Sequence, residues 1–208
     1  MKLQNYFTAF ISSAVFIGSF TGCTREVVTH YYADEDAPGA AIFSNTGNNL
    51  MTCFFDGQPW RTMDRITGYR GQTELEIRRT HTSSLLDTIT VKWAGNYSQY
   101  DIQLTLPVAK NFEWKDFSAY AGKRITIDSS NGYFSLIQNS YYNMGNGKGT
   151  IYFNTAYIDS TGPTNIKGRI AGLLEAHINL AFVTNPQVVN ITSGRFDDDI
   201  SGFELLGF

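Results

Sequence analysis

The chain has 208 residues, 42% of them hydrophobic, 14% aromatic and 17% charged, with a formal net charge of −3. That balance excludes a disordered acidic or basic chain and supplies enough apolar mass for one packed domain. Its Lys and Arg residues are scattered with no run longer than Arg78-Arg79, so the clustered positive charge that a nucleic-acid partner requires is missing.

Lys2 gives a basic start, and Tyr6 to Phe20 then runs apolar apart from small hydroxyl residues. Thr21 and Gly22 offer the small side chains that a signal peptidase requires. The run is shorter than the roughly 20 apolar residues of a spanning helix, so residues 1–22 are expected to be removed. Phe20-Thr21-Gly22-Cys23 resembles a bacterial lipoprotein signal, and the resemblance implies cleavage before Cys23 and diacylation of its sulfur. The alternative is a plain secretory signal in which Cys23 is incidental. Loss of the leader, whose one charge is Lys2, takes the net charge from −3 to −4. With Cys23 lipidated, Cys53 has no partner and reads as a small buried hydrophobe. Residues 23–50 read as a flexible tether, in which a solvated acidic stretch, Asp34-Glu35-Asp36, is followed by turn formers at Pro38-Gly39 and Asn45-Thr46-Gly47-Asn48-Asn49.

Residues 51–208 carry the folded domain. Thr52 to Phe55 and Gln58 to Arg61 flank Asp56-Gly57, a strong hairpin pair. Period-2 alternation then recurs: Leu75 and Ile77 against Glu76 and Arg78, Ile89, Val91 and Trp93 against Thr90 and Lys92, and Ile102, Leu104 and Leu106 against Gln103 and Thr105. Pro107 is expected to end the last of these by removing a ladder donor. Asn111 could cap a short helix over Phe112 to Phe117, before Gly122. Strands are expected at Lys123 to Asp128, Tyr133 to Gln138 and Thr150 to Tyr157, with the glycine-rich Asn143 to Gly149 as a hairpin turn; no strand-loop-helix context supports a phosphate cradle there. The longest strand, Ile166 to Thr184, puts Leu174, Ala176, Ile178, Leu180 and Phe182 on one face and Glu175, His177 and Asn179 on the other. Gly168 and Gly172 within it are placed to permit a bulge or bend. Val188 to Phe196 reads as its partner, ended by a charged turn at Asp197-Asp198-Asp199. Short connections between alternating strands predict an all-β fold: an antiparallel β-sandwich or barrel-like sheet of about 8–10 strands with at most one short helix.

Phe55-Asp56-Gly57-Gln58-Pro59-Trp60, Gly168-Arg169-Ile170-Ala171-Gly172 and Ile191-Thr192-Ser193-Gly194-Arg195-Phe196 resemble segments of uncharacterised Bacteroidota outer-membrane lipoproteins. The resemblance covers most of residues 51–197. It implies a small all-β domain tethered to the outer membrane, on its periplasmic or surface side, and brings no enzymatic residues with it.

Chemistry-bearing motifs are sparse. Glu175 and His177 share a strand face, but a metal needs further ligands, and a solvated polar pair is the plainer reading. Asp197 to Asp199 lack the spaced glycine of a calcium loop, and no Gly-x-Ser-x-Gly elbow occurs. No catalytic residue, metal site or cofactor is assigned. The aromatic surplus points to a core built on Trp60 and Trp93, while Tyr97, Tyr141 and Tyr142 form a candidate ligand rim. Two functions remain: a noncatalytic binding or structural module for a glycan or small apolar ligand, and an envelope hydrolase of glycosidase type.

Overall fold

The computed structural model describes residues 33–36, 38, 40–62, 75–82, 85–95, 100–139, 142–160, 166–181, 187–200 and 205–206. Cys23, Tyr97, Tyr141, Phe182 and the lipoprotein signal lie outside them. Among the described residues, eleven strands form one mostly antiparallel sheet. In chain order they are β1 (Leu50–Phe55), β2 (Gln58–Arg61), β3 (Leu75–His81), β4 (Leu86–Trp93), β5 (Asp101–Ala109), β6 (Lys123–Ile127), β7 (Tyr133–Gln138), β8 (Tyr142–Ser160), β9 (Ile166–Leu180), β10 (Gln187–Ile200) and β11 (Leu205–Leu206). The order across the sheet is β11-β3-β4-β5-β7-β8-β9-β10-β1-β2, with β6 on β8 beyond the end of β7.

The sheet curls into a half-barrel, so that strands distant in its order meet face to face. Trp93 of β4 packs on Phe196 of β10 with ring centroids 5.2 Å apart, Phe196 on Phe153 at 5.7 Å, and Phe153 on Phe117 at 5.8 Å. These rings are the spine of a single apolar cluster. Each strand contributes alternate residues, as the sequence pattern requires: Leu75 and Ile77, then Ile89, Val91 and Trp93, then Leu174, Ala176 and Ile178 are buried, while Glu175, His177 and Asn179 face water. A fully buried Ile or Leu contributes about 1.5–3 kcal/mol. Cys53 is buried as expected, and burial pushes its thiol pKa up. At the β1–β2 hairpin, Asp56 (φ 47) and Gly57 (φ 81) both take the left-handed backbone of a type I′ turn.

Several elements depart from expectation for identifiable reasons. The glycine-rich stretch is strand, not turn: Gly145, Gly147 and Gly149 lie within β8 opposite Leu180, Ile178 and Ala176. A Cβ on Gly147 would stand 1.9 Å from the His177 carbonyl oxygen, so the glycines let two tightly curled strands approach where any side chain would intrude. β5 runs on through Pro107 to Ala109. β7 pairs with β5 only from Asp101 to Thr105, so Pro107 sits where no donor is required on that side. The described helix is a 3-10 helix, Trp114–Tyr120, whose N-cap is Glu113 rather than Asn111, and the carboxylate of Asp116 in its first turn accepts the Glu113 N–H at 2.8 Å. Its three-residue period stacks Trp114, Phe117 and Tyr120 on one face, and the first two are buried. The anticipated irregularity at Gly172 is a bulge on the facing strand, where Asn154 is the extra residue between Phe153 and Thr155.

The largest correction concerns Asp197 to Asp199, which form no turn. β10 continues through them to Ile200, and Asp197 and Asp198 are buried. The Asp197 carboxylate accepts the backbone N–H groups of Thr46, Gly47 and Asn48 at 3.1, 2.9 and 3.2 Å. Asp199 pairs with Arg169 at 2.7 Å, and Arg169 also donates to the Asn45 carbonyl. The described part of the expected tether is therefore bound to the sheet rather than free of it. Asp34 is ion-paired with Arg195, Ala41 donates to the Thr52 hydroxyl at 2.9 Å, and Ala40 and Ala41 are buried.

Candidate functional site

Two charged clusters and one cleft stand out on the described surface. At one end of β3, β4 and β5, the buried carboxylate of Asp87 receives Arg79 at 2.7 Å, His81 at 2.9 Å and Lys110 at 3.1 Å. Hydrogen bonding from His81, then from Arg79 and Lys110, holds the Asp87 carboxyl well below the usual range, against the opposing effect of burial. Every member is engaged with another, which makes this a pin across three strands. The second cluster, around Asp197 and Asp199, is likewise consumed in holding residues 45–48.

The cleft lies on the outer face of β6, β8, β9 and β10 and has a volume of about 230 Å³. Strand register builds it. Arg124 of β6 pairs with Tyr152 of β8, Tyr152 with Leu173 of β9, and Leu173 with Arg195 of β10. Directly paired residues project from the same face, so these four form one cross-strand row, with a cation at each end and an aromatic and an aliphatic residue between. Thr150 and Glu175, paired with each other, form the next row.

A bulge in β10 closes that second row. Thr192 and Ser193 stand opposite the single Glu175, and Ser193 takes a positive φ of 52°. Bulges re-aim side chains and bend the strand that carries them, and here the bend sits at the cleft that Ser193 lines.

The charges in the cleft are unequally engaged. The Nη1 group of Arg195 donates to Asp34 and, at 2.8 Å, to the Ala41 carbonyl, which fixes its guanidinium from the far side. Among the described residues, Arg124 and Glu175 make no ion pair. The site can therefore offer a fixed and a free guanidinium, a carboxylate, hydroxyls and a ring face to one small molecule.

Of the anticipated rim, Tyr142 is described. It is 66% exposed at the start of β8, eight residues from Thr150, roughly 26 Å along a strand, and does not line the cleft. Glu175 and His177 are both exposed, but His177 turns to Asn190, its Nδ1 lying 2.7 Å from the amide oxygen, and Asn190 is in turn bound to Asp56. Among the described residues no three His, Cys, Asp or Glu are grouped to hold a metal ion. Sequence reading missed Arg124, Tyr152 and Leu173 as site residues. The available signal was the Thr192-Ser193-Gly194 run, polar and glycine-ended inside an otherwise alternating strand. No protein-family model matches the chain, and no curated protein or solved structure is significantly similar to it.

Proposed function

We propose that the chain is a lipid-anchored protein of the bacterial outer membrane whose β domain acts as a noncatalytic module for capturing a small ligand. The leader and Cys23 support the anchor, as does the resemblance to envelope lipoproteins. The observation that carries the binding role is the outer-face cleft, where Arg124 and Glu175 are without ion-pair partners among the described residues while the other charge clusters are internally satisfied. Among the described residues Glu175 is the one carboxylate lining the cleft, whereas a glycosidase needs two acids about 5–9.5 Å apart. Binding is accordingly favoured over hydrolysis at this place.

The anchor is tested by palmitate labelling of wild-type and Cys23→Ala protein in cells; labelling is expected to vanish in the variant, and undiminished labelling would remove the anchor. The binding role is tested by thermal shift of the Cys23→Ala chain across a collection of sugars, amino acids and fatty acids, repeated with Leu173→Trp, which fills the cleft. Ligands that raise the melting temperature only with the cleft open support the reading. Stabilisation unaffected by Leu173→Trp, or no stabilisation at all, would overturn it.

A further inference from the structure

Resting on the binding role of the cleft, we propose that its ligand is an acidic sugar: a ring bearing a carboxylate or sulfate together with free hydroxyls, taken as one unit of an oligosaccharide. Three observations converge on that class. The first is size, because about 230 Å³ falls below the roughly 300–1,000 Å³ of drug-sized sites and suits a single ring.

The second is the cross-strand row Arg124-Tyr152-Leu173-Arg195. With strands about 4.8 Å apart, its two guanidinium residues are separated by roughly 14 Å along the row, leaving Tyr152 and Leu173 as an apolar strip between them. A guanidinium selects planar or tetrahedral oxyanions through paired N–H donors, and an aromatic face accepts the C–H face of a sugar ring.

The third is Glu175 on the adjoining row with Thr150 and Ser193. A carboxylate is an acceptor only, so it requires a ligand that donates. An anion without hydroxyls would set negative charge against Glu175. A neutral sugar would leave Arg124 unmatched, and a cation would face two arginines. A hydroxyl-rich acid satisfies all three groups together. Arg195 is already held in place by Asp34 and the Ala41 carbonyl, so little ordering is lost when the acid binds.

Calorimetric titration of the Cys23→Ala chain with a hexuronate disaccharide, a sulfated disaccharide, a neutral glucose disaccharide and a free amino acid tests the proposal. At least one acidic sugar is expected to bind at least tenfold more tightly than the neutral one. That affinity should fall at least tenfold in Arg124→Gln and several-fold between 0.05 and 0.5 M salt, with Arg124→Gln melting as wild type. Equal binding of the neutral disaccharide, indifference to Arg124→Gln, or preference for the amino acid would overturn the acidic-sugar assignment. If none of the four binds but another ligand's thermal shift disappears in Leu173→Trp, the acidic-sugar class falls and the cleft stands. If Leu173→Trp abolishes no ligand's shift, both fall.

Discussion

The indole N–H of Trp93 on β4 donates to the Asp198 carboxyl on β10 across 3.1 Å, joining residues 105 positions apart in the chain. Four strands lie between β4 and β10 in the sheet, so this bond forms only when the sheet has curled. Trp93→Phe keeps a ring against Phe196 but removes the donor from a buried carboxyl. It is expected to lower stability by about 2–4 kcal/mol, read from urea unfolding of the Cys23→Ala chain. A loss below about 0.5 kcal/mol would mean that the bond does not hold the curl.

Asp197 acts on the chain ahead of β1. Its carboxylate is the acceptor for three consecutive backbone N–H groups, and Asp197→Ala leaves those donors without it. Amide exchange of Thr46, Gly47 and Asn48 is expected to accelerate at least tenfold in Asp197→Ala, with β4 and β5 unchanged. Unchanged protection at those three amides would show that the segment is held by other means.

Close approach of β8 and β9 makes two glycines respond differently to the same substitution. Gly147→Ala sets a methyl 1.9 Å from a backbone carbonyl and is expected to cost about 3 kcal/mol or more. Gly57→Ala meets nothing within 4 Å and pays only for its positive φ, about 1 kcal/mol. Thermal melts of the pair decide it, and equal losses would contradict the tight packing of the two long strands.

Asp87 gives the fold an acid-sensitive contribution. Its carboxyl titrates lower folded than unfolded, so the stabilisation is complete above the ordinary carboxylate value near 4 and is lost as pH falls from there toward the folded value. Wild type should therefore melt well above Asp87→Asn at pH 7, with the gap narrowing below about pH 4. A gap that stays constant from pH 7 to pH 3 would rule out the ion cluster as its source.

Alternation made the β core legible from sequence. Ile89, Val91 and Trp93, like Leu174, Ala176 and Ile178, show their shared face without knowledge of partners, because a strand's period is local. The glycines of β8 and the aspartates of β10 were misread for one reason: glycine and clustered acid ordinarily mark turns. What overrides that tendency is supplied from a distance, by the backbone of β9 in one case and the N–H groups of residues 46–48 in the other. The cleft is less visible still. Arg124, Tyr152, Leu173 and Arg195 are spread over 71 positions and become neighbours only through the registers of three strand pairs, which no local pattern specifies.

Hydrogen exchange with and without a ligand that raises the melting temperature tests the central claim most directly, because it reports where on the sheet the ligand sits. Protection is expected in peptides covering Thr150 to Tyr152, Leu173 to Glu175 and Ser193 to Arg195, with Arg79, Asp87 and their neighbours unaffected. Protection centred on the Asp87 end of the sheet, or spread evenly over all strands, would contradict a binding module built on the outer face of β8, β9 and β10.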